Sequence, residues 1–292
     1  MPLSFKLWAL MSKEDALALE IMKAQGVLTP GAATHQCEAL CEYATLALKL
    51  QRHIEAGWAL HYASELQQPS EYLPNDLLMP SLVCHPVWHH PLKSKNLMLI
   101  RPQEQHRAFL TELLQTSSFV ERYNSFMGNG PAALEGFIQR THLPPLQTKQ
   151  LDWIVADLNG EPLGLACLAD LDFESRRAEW LLGFPELPEM RQKMVEAALL
   201  LFVAAFACLR LEKVYGYVYQ SNVSAQEATM HLGFQKEGVL RTHVRNRITG
   251  KREDLHVFGF LRDEFFESRF LEKLGRRIVS KNYPQGCLRL EI

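Results

Sequence analysis

The chain has 292 residues, of which 47% are hydrophobic and 22% charged, enough apolar material for one large or two modest cores. Its formal net charge of −2 at pH 7 lacks the basic excess of a protein built to hold nucleic acid. None of the six cysteines forms a C-x-x-C pair, which points to reduced, buried thiols rather than a disulfide framework.

The opening MPLSFKLWALMSKED lacks the apolar stretch and small-residue cleavage site of a secretory leader. Ser12 with Asp15 supplies a helix start, and that helix is expected to end at Gly26. Pro30 opens a second, longer helix. Cys37, Leu40, Cys41, Ala44, Leu48, Ile54, Trp58 and His61 follow a three-to-four spacing along it. The result is a helical hairpin with one apolar face that needs a partner, either the rest of the chain, a second copy in a homodimer, or another protein. From Gln67 to Lys95 the chain carries Pro69, Pro74, Pro80, Pro86 and Pro91 and reads as a linker or wrapping segment. Cys84, His85, His89 and His90 lie there without H-E-x-x-H or paired C-x-x-C spacing. They read as a loop over the core, and no metal is expected.

Strands and helices alternate after Lys95. Asn96–Pro102 reads as a strand, Glu104–Gln115 and Pro131–Arg140 as helices, with a turn at the GNG of Gly128–Gly130. Leu151–Leu158 and Pro162–Asp170 read as a hairpin around Asn159-Gly160. Arg177–Phe184 is a strand and Met194–Leu211 a buried helix. Its most apolar run, Ala197–Leu209, is too short to span a membrane. Lys213–Tyr219 is a strand whose Tyr215, Tyr217 and Tyr219 share one face, as core or as the lining of a groove. Ala225–Leu232 is a short helix. Val239–Arg245 and Leu255–Phe260 pair around Thr249-Gly250. Arg241, Arg245, Arg247, Lys251 and Arg252 in that pair read as a solvated hairpin rather than a phosphate site. The expected divisions are residues 1–93, a helical module with its proline-rich linker, a second domain over 94–270, and a tail over 271–292.

Four passages give the second domain a family resemblance: NGEPLGLACLADLDFESRRAEWLLGF, EAALLLFVAAFACLRLEKVYGYVY, NVSAQEATMHLGF from Asn222 to Phe234, and QKEGVLRTHV with its closing GKREDLHVFGFL. Together they resemble the GNAT (Gcn5-related N-acetyltransferase) superfamily over roughly residues 96–265. The nearest flavour is the branch acting on ribosomal-protein N-termini, polyamines and amino sugars. The resemblance implies an α/β fold, with a mixed, mostly antiparallel central sheet flanked by helices, preceded here by an all-α N-terminal module. It also implies acetyl-CoA, or another acyl-CoA, as the acyl donor. The acceptor it implies is a small-molecule or peptide primary amine, while the net charge and the lack of a membrane-length apolar run lead one to expect neither nucleic acid nor membrane as a partner. From the reduced thiols and the absence of an apolar leader or membrane-length stretch, a cytoplasmic setting is expected.

The reaction is attack of an amine on the thioester carbonyl. A free alkylamine has a pKa of roughly 10, so a base must hold it unprotonated near neutrality. The resemblance makes Glu179 that base, although a strand carboxylate pairing with Arg176 or Arg177 would explain it equally well. Leu181 and Leu182 present the backbone that meets pantetheine, and Asn222 orients the cofactor, caps a helix, or does both. Two departures stand out. The pyrophosphate loop of the family needs small residues, yet the chain reads Met190-Arg191-Gln192-Lys193-Met194, with Gln192 and Met194 at the small positions. Arg191 and Lys193 then offer charge in place of close backbone contact. In the short helix, the position often held by a tyrosine acid is Thr229, with His231 as the other stand-in. Both departures leave a second reading open: a GNAT fold that no longer catalyses and serves as a binding module, or an enzyme fed by an acyl carrier protein.

Overall fold

The computed structural model describes residues 33–66, 75–116, 119, 123, 131–143, 147–185, 190–246 and 249–288. They fall into two compact units, one ending at His90 and one spanning Pro91–Leu288. The helix expected from Ser12, its end at Gly26 and the GNG turn lie outside the described residues. Among the described residues no helix is long and apolar enough to cross a membrane.

The first unit is helical: α1 (Ala33–Lys49), α2 (His53–Leu66) and α3 (Asn75–Val83), then a 3₁₀ turn at Pro86–Trp88. The three-to-four spacing that predicts one long helix instead runs through two. Gln51 takes a left-handed φ of 60° between them, and the Arg52 N–H closes the end of α1 on the Ala47 carbonyl at 2.8 Å. The helices pack on each other with Ala44, Ala47, Ala56, Ala59 and Ala63 fully buried. The proline-rich segment, expected as a linker, contains α3, with Pro80 inside it. An interior proline costs a helix about 3 kcal/mol, and burial of Leu77 and Leu82 on this turn offsets it. His85 caps the following turn, its Nδ1 accepting from the Val87 N–H at 3.1 Å.

The second unit is one eight-stranded sheet in the order β1-β2-β3-β4-β5-β6-β8-β7. Its strands are β1 (Leu92–Lys93), β2 (Leu97–Ile100), β3 (Leu151–Asp157), β4 (Pro162–Asp172), β5 (Arg177–Gly183), β6 (Lys213–Tyr219), β7 (Gln235–Arg245) and β8 (Arg252–Leu261). Its helices are α4 (Arg107–Gln115), α5 (Pro131–Gln139), α6 (Met190–Phe202), α7 (Val223–His231), α8 (Arg262–Glu267) and α9 (Arg269–Ile278). Every strand pair is antiparallel except β5 with β6, because α6 carries the chain across between them. The β3–β4 turn comes where Asn159-Gly160 predicts it, with Gly160 at φ 91° and the Asp157 carboxylate accepting from the Asn159 and Glu161 N–H groups.

Both faces of this sheet are covered. On one, Leu110, Leu113, Leu114, Phe119, Tyr123 and Phe137 pack over Ile154, Leu165, Cys167 and Leu181. On the other, α6 brings Phe202 and Phe206 against Phe260 and Phe265. Ala197–Phe202 is buried all round, which explains its lack of a polar face. Glu196, also buried, is tied to β2: both its carboxyl oxygens accept from the Asn96 side-chain amide at 3.1–3.3 Å and one from the Asn96 backbone N–H. The helix then widens to an i→i+5 pattern over Val203–Cys208. Beyond residue 270, α9 packs on α6, the Tyr283 hydroxyl donates to the Leu199 carbonyl at 3.2 Å, and Leu288 bridges to Leu92.

Candidate active site at the β5–β6 split

The parallel pair β5–β6 is short. Arg177, Ala178 and Glu179 stand opposite Lys213, Val214 and Tyr215, and no pairing continues beyond that rung although both strands do. From Trp180 to Gly183, β5 therefore has a strand neighbour on the β4 side only. Unpaired strand backbone is an open hydrogen-bonding edge, so the split offers an extended ligand a place to pair.

Glu179 sits at the last paired rung, on the face of β5 that also carries Leu181. The rest of the rung explains its surroundings. β4 bulges so that Ala169 opposes Glu179 while Asp172 opposes Arg177, with Asp170 and Leu171 together facing the single residue Ala178. Asp170 takes a left-handed φ of 45° there. Its carboxylate accepts from the Tyr215 hydroxyl and from Arg177 Nη1 at 2.6 Å, and the same Arg177 nitrogen donates to the Tyr215 oxygen at 2.9 Å. The Arg177 guanidinium lies 5.5 Å from the Tyr215 ring centroid. Three adjacent strands thus contribute one side chain each to a closed cluster beside Glu179.

Glu179 itself is outside that cluster. Among the described residues nothing donates to its carboxyl group, since Arg177 binds Asp170 and Arg176 binds Glu212 at 2.5 Å. The alternative of an ordinary strand ion pair with Arg176 or Arg177 is therefore not what the structure shows. Burial, with the Asp170 charge second, pushes the Glu179 carboxyl up to about 7. The Tyr215 hydroxyl first, and Arg177 after it, hold Asp170 below the usual carboxylate range. Burial first, then the bond to Asp170, raises Tyr215 and keeps it protonated. A carboxyl group that titrates near neutrality with no donor bound can take a proton from a group brought beside it.

The opposite face of the split is aromatic. The Trp180 indole stacks on Phe234 with centroids 4.8 Å apart and lies 5.7 Å from Phe202. A Cβ at Gly216, one residue past the last rung, would fall 2.8 Å from Trp180 Nε1, so only glycine lets the indole close over β6 there. The tyrosine series divides. Tyr215 belongs to the polar cluster, whereas Tyr219 is core with Val244 and Leu255, and Tyr217 packs against that core.

Leu181 and Leu182 lie on β5 beyond the last rung. Arg191, Gln192, Lys193 and Met194 all belong to α6, whose first residue is Met190, and Met194 is exposed at 38%. Glu186 and Glu189 lie outside the described residues. Asn222 caps α7, its side-chain oxygen accepting from the Ala225 N–H at 3.2 Å. Thr229 is buried at 6% on that helix, while His231 turns its Nδ1 to the Glu227 carbonyl at 2.8 Å. The basic residues flagged on β7 and β8 make a hairpin, with Arg245 donating to the Gly250 carbonyl and Arg252 to the Thr242 carbonyl. Arg247 lies outside the described residues. Sequence reasoning missed Asp170 and gave Arg177 no partner but Glu179. The only signal in the sequence was the acidic-to-basic spacing within ADLDFESRRAE.

Comparison with known proteins agrees with this geometry. Residues 96–235 match the family model of the acetyltransferase (GNAT) domain. A spermidine N-acetyltransferase from Vibrio cholerae, solved in complex with CoA and spermine, is 20% identical with a TM-score of 0.51, over 59% of this chain and 98% of that one. A probable acetyltransferase of known structure aligns with the same identity and TM-score, over 60% of this chain and 98% of that one. No curated protein matches the chain in sequence. The second unit thus has the fold of these acetyltransferases, a mixed, mostly antiparallel sheet with flanking helices, and its residues 96–235 are similar to the GNAT domain.

Proposed function

We propose that this domain is an N-acyltransferase that moves an acetyl group from acetyl-CoA to a primary amine, with Glu179 as the base. The observation that carries the reading is an unpartnered carboxyl group, raised to about 7, at the rung where β5 and β6 part. Near neutral pH such a group is partly ionised and removes a proton from a bound ammonium as the amine is needed, an effect worth on the order of 10²–10⁴-fold in rate. Acetyl-CoA supplies the thioester carbonyl that the amine attacks and the sulfur that leaves.

The residues of the split suit that donor in part. The edge of β5 over Leu181 and Leu182 offers unpaired backbone to an amide-bearing arm such as pantetheine. The first turns of α6 bring a helix N-terminus with Arg191 and Lys193, groups that favour a pyrophosphate, and among the described residues no ion pair commits either side chain elsewhere. Gln192 and Met194 stand where small residues would let backbone approach the phosphates, so the side-chain charges, rather than close backbone contact, carry the grip. Asn222 fixes the start of α7, and Thr229 is the buried hydroxyl on that helix assigned to protonate the leaving sulfur. A polyamine is the first acceptor class to try, since a protein of the same fold was solved with spermine.

Calorimetric titration with acetyl-CoA, with desulfo-CoA and free pantetheine alongside, tests the donor site. Micromolar binding of acetyl-CoA, much weakened for pantetheine, is expected. No binding at millimolar ligand would overturn the reading and leave a carrier-fed enzyme or a non-catalytic binding module.

A further inference from the structure

The Asp170 cluster has a relation to Glu179 that neither fold nor family match requires. Arg177 lies two residues before Glu179 on the same face of β5, and Tyr215 is the strand partner of Glu179 across the last rung. Both are strand neighbours of Glu179 that carry donors, and both turn to Asp170. Asp170 reaches them from the β4 bulge at a left-handed φ of 45°, a conformation costly for most residues but tolerated by Asp and Asn. The bulge is fixed by a second contact, the Leu171 N–H donating to the Lys149 carbonyl at 2.8 Å. Arg177 is held further by Asp172 at 3.8 Å.

We propose that Asp170 is a positioning residue: by binding Arg177 and Tyr215 together it keeps both donors off Glu179 and leaves that carboxyl group free for an incoming amine. The inference rests on the reading of Glu179 as the base. Among the described residues, none of the other titratable groups around Glu179 is a free cation. Tyr217 on β6 and the fully buried Tyr123 and Cys167 are all raised by burial, stay protonated and so bring no charge to it, and Asp152 behind them is bound by Arg140 at 2.6 Å. With the Asp170 charge removed, Arg177 loses its closest carboxylate partner while standing two residues from Glu179 on the same face of β5.

The test is Asp170→Asn, which keeps the size and tolerates the backbone conformation. Two readouts are taken: a crystal structure of the variant, and an NMR titration of the Glu179 side-chain carboxyl carbon, its signal assigned by loss in Glu179→Gln. In the variant Arg177 is expected on the Glu179 carboxylate, and the Glu179 midpoint is expected to fall by about one pH unit or more. The double change Asp170→Asn with Arg177→Met should return the midpoint towards neutrality. The proposal is overturned if Arg177 stays with Tyr215 in the single variant, or if the double variant keeps the low midpoint. Neither readout uses an acyl donor or an amine, so the assignment stands or falls separately from the transfer reaction.

Discussion

Midway along α6, Glu196 is buried and both its carboxyl oxygens are bonded to Asn96; at the β5–β6 split, Glu179 is partly buried and bonded to nothing among the described residues. The two glutamates lie in one domain, yet their surroundings give them different uses. Around Glu196 the fold supplies matched donors, so the group ties a helix to a strand. Around Glu179 the fold supplies donors too, then turns them to Asp170. A buried polar group without partners costs stability, and a fold keeps one where something other than stability uses it.

Four predictions sharpen or break this contrast. The largest effect is expected from Glu179→Gln, which should lower kcat/KM for acetyl transfer by on the order of 10²–10⁴-fold while leaving acetyl-CoA binding unchanged by calorimetry. Asn96→Ala should do the reverse, costing about 3 kcal/mol in denaturant unfolding by stranding the Glu196 carboxyl while sparing acetyl-CoA binding. The third concerns pH. The folded-state Glu179 carboxyl lies at about 7, above its ordinary 4.5. Between those values the unfolded chain loses the proton first, so stability falls as pH rises through that window, and the cost is complete above it. Glu179→Gln should therefore be more stable than the parent by about 1–3 kcal/mol at pH 8 and equal to it near pH 4, read from urea midpoints at both pH values. The smallest effect is expected from Gly216→Ala, where the new methyl meets the Trp180 indole at 2.8 Å; a cost of about 1–2 kcal/mol and a changed tryptophan fluorescence would show it.

Much of the second unit was legible because its signals are local. The Asn159-Gly160 turn marked the hairpin of β3 and β4, and β6 runs over Lys213–Tyr219 as read. The passage from Asn222 to Phe234 carried enough family wording to place α7 and its cap. What was not legible depends on residues far apart in sequence. Nothing local says that Arg177 turns back to Asp170 rather than forward to Glu179, because that choice follows from a bulge and a left-handed aspartate. The break between α1 and α2 was missed for a similar reason, since Gln51 takes a conformation usually signalled by glycine or asparagine. The helix at Asn75–Val83 was hidden by Pro80, where local breaking rules lost to burial. The ends of β5 and β6 were seen, but their parting after three rungs is a tertiary fact with no mark in either strand.

The most direct test of the central claim is the pH profile of acetyl transfer from acetyl-CoA to a set of primary amines, spermidine among them, for the parent protein and Glu179→Gln. The account predicts that the parent acetylates at least one of these amines with a rate that falls away below about pH 7, and that the variant is slower on the order of 10²-fold or more and loses that limb. A variant with the parental rate and the same acid limb, or a parent that acetylates none of them, would contradict it.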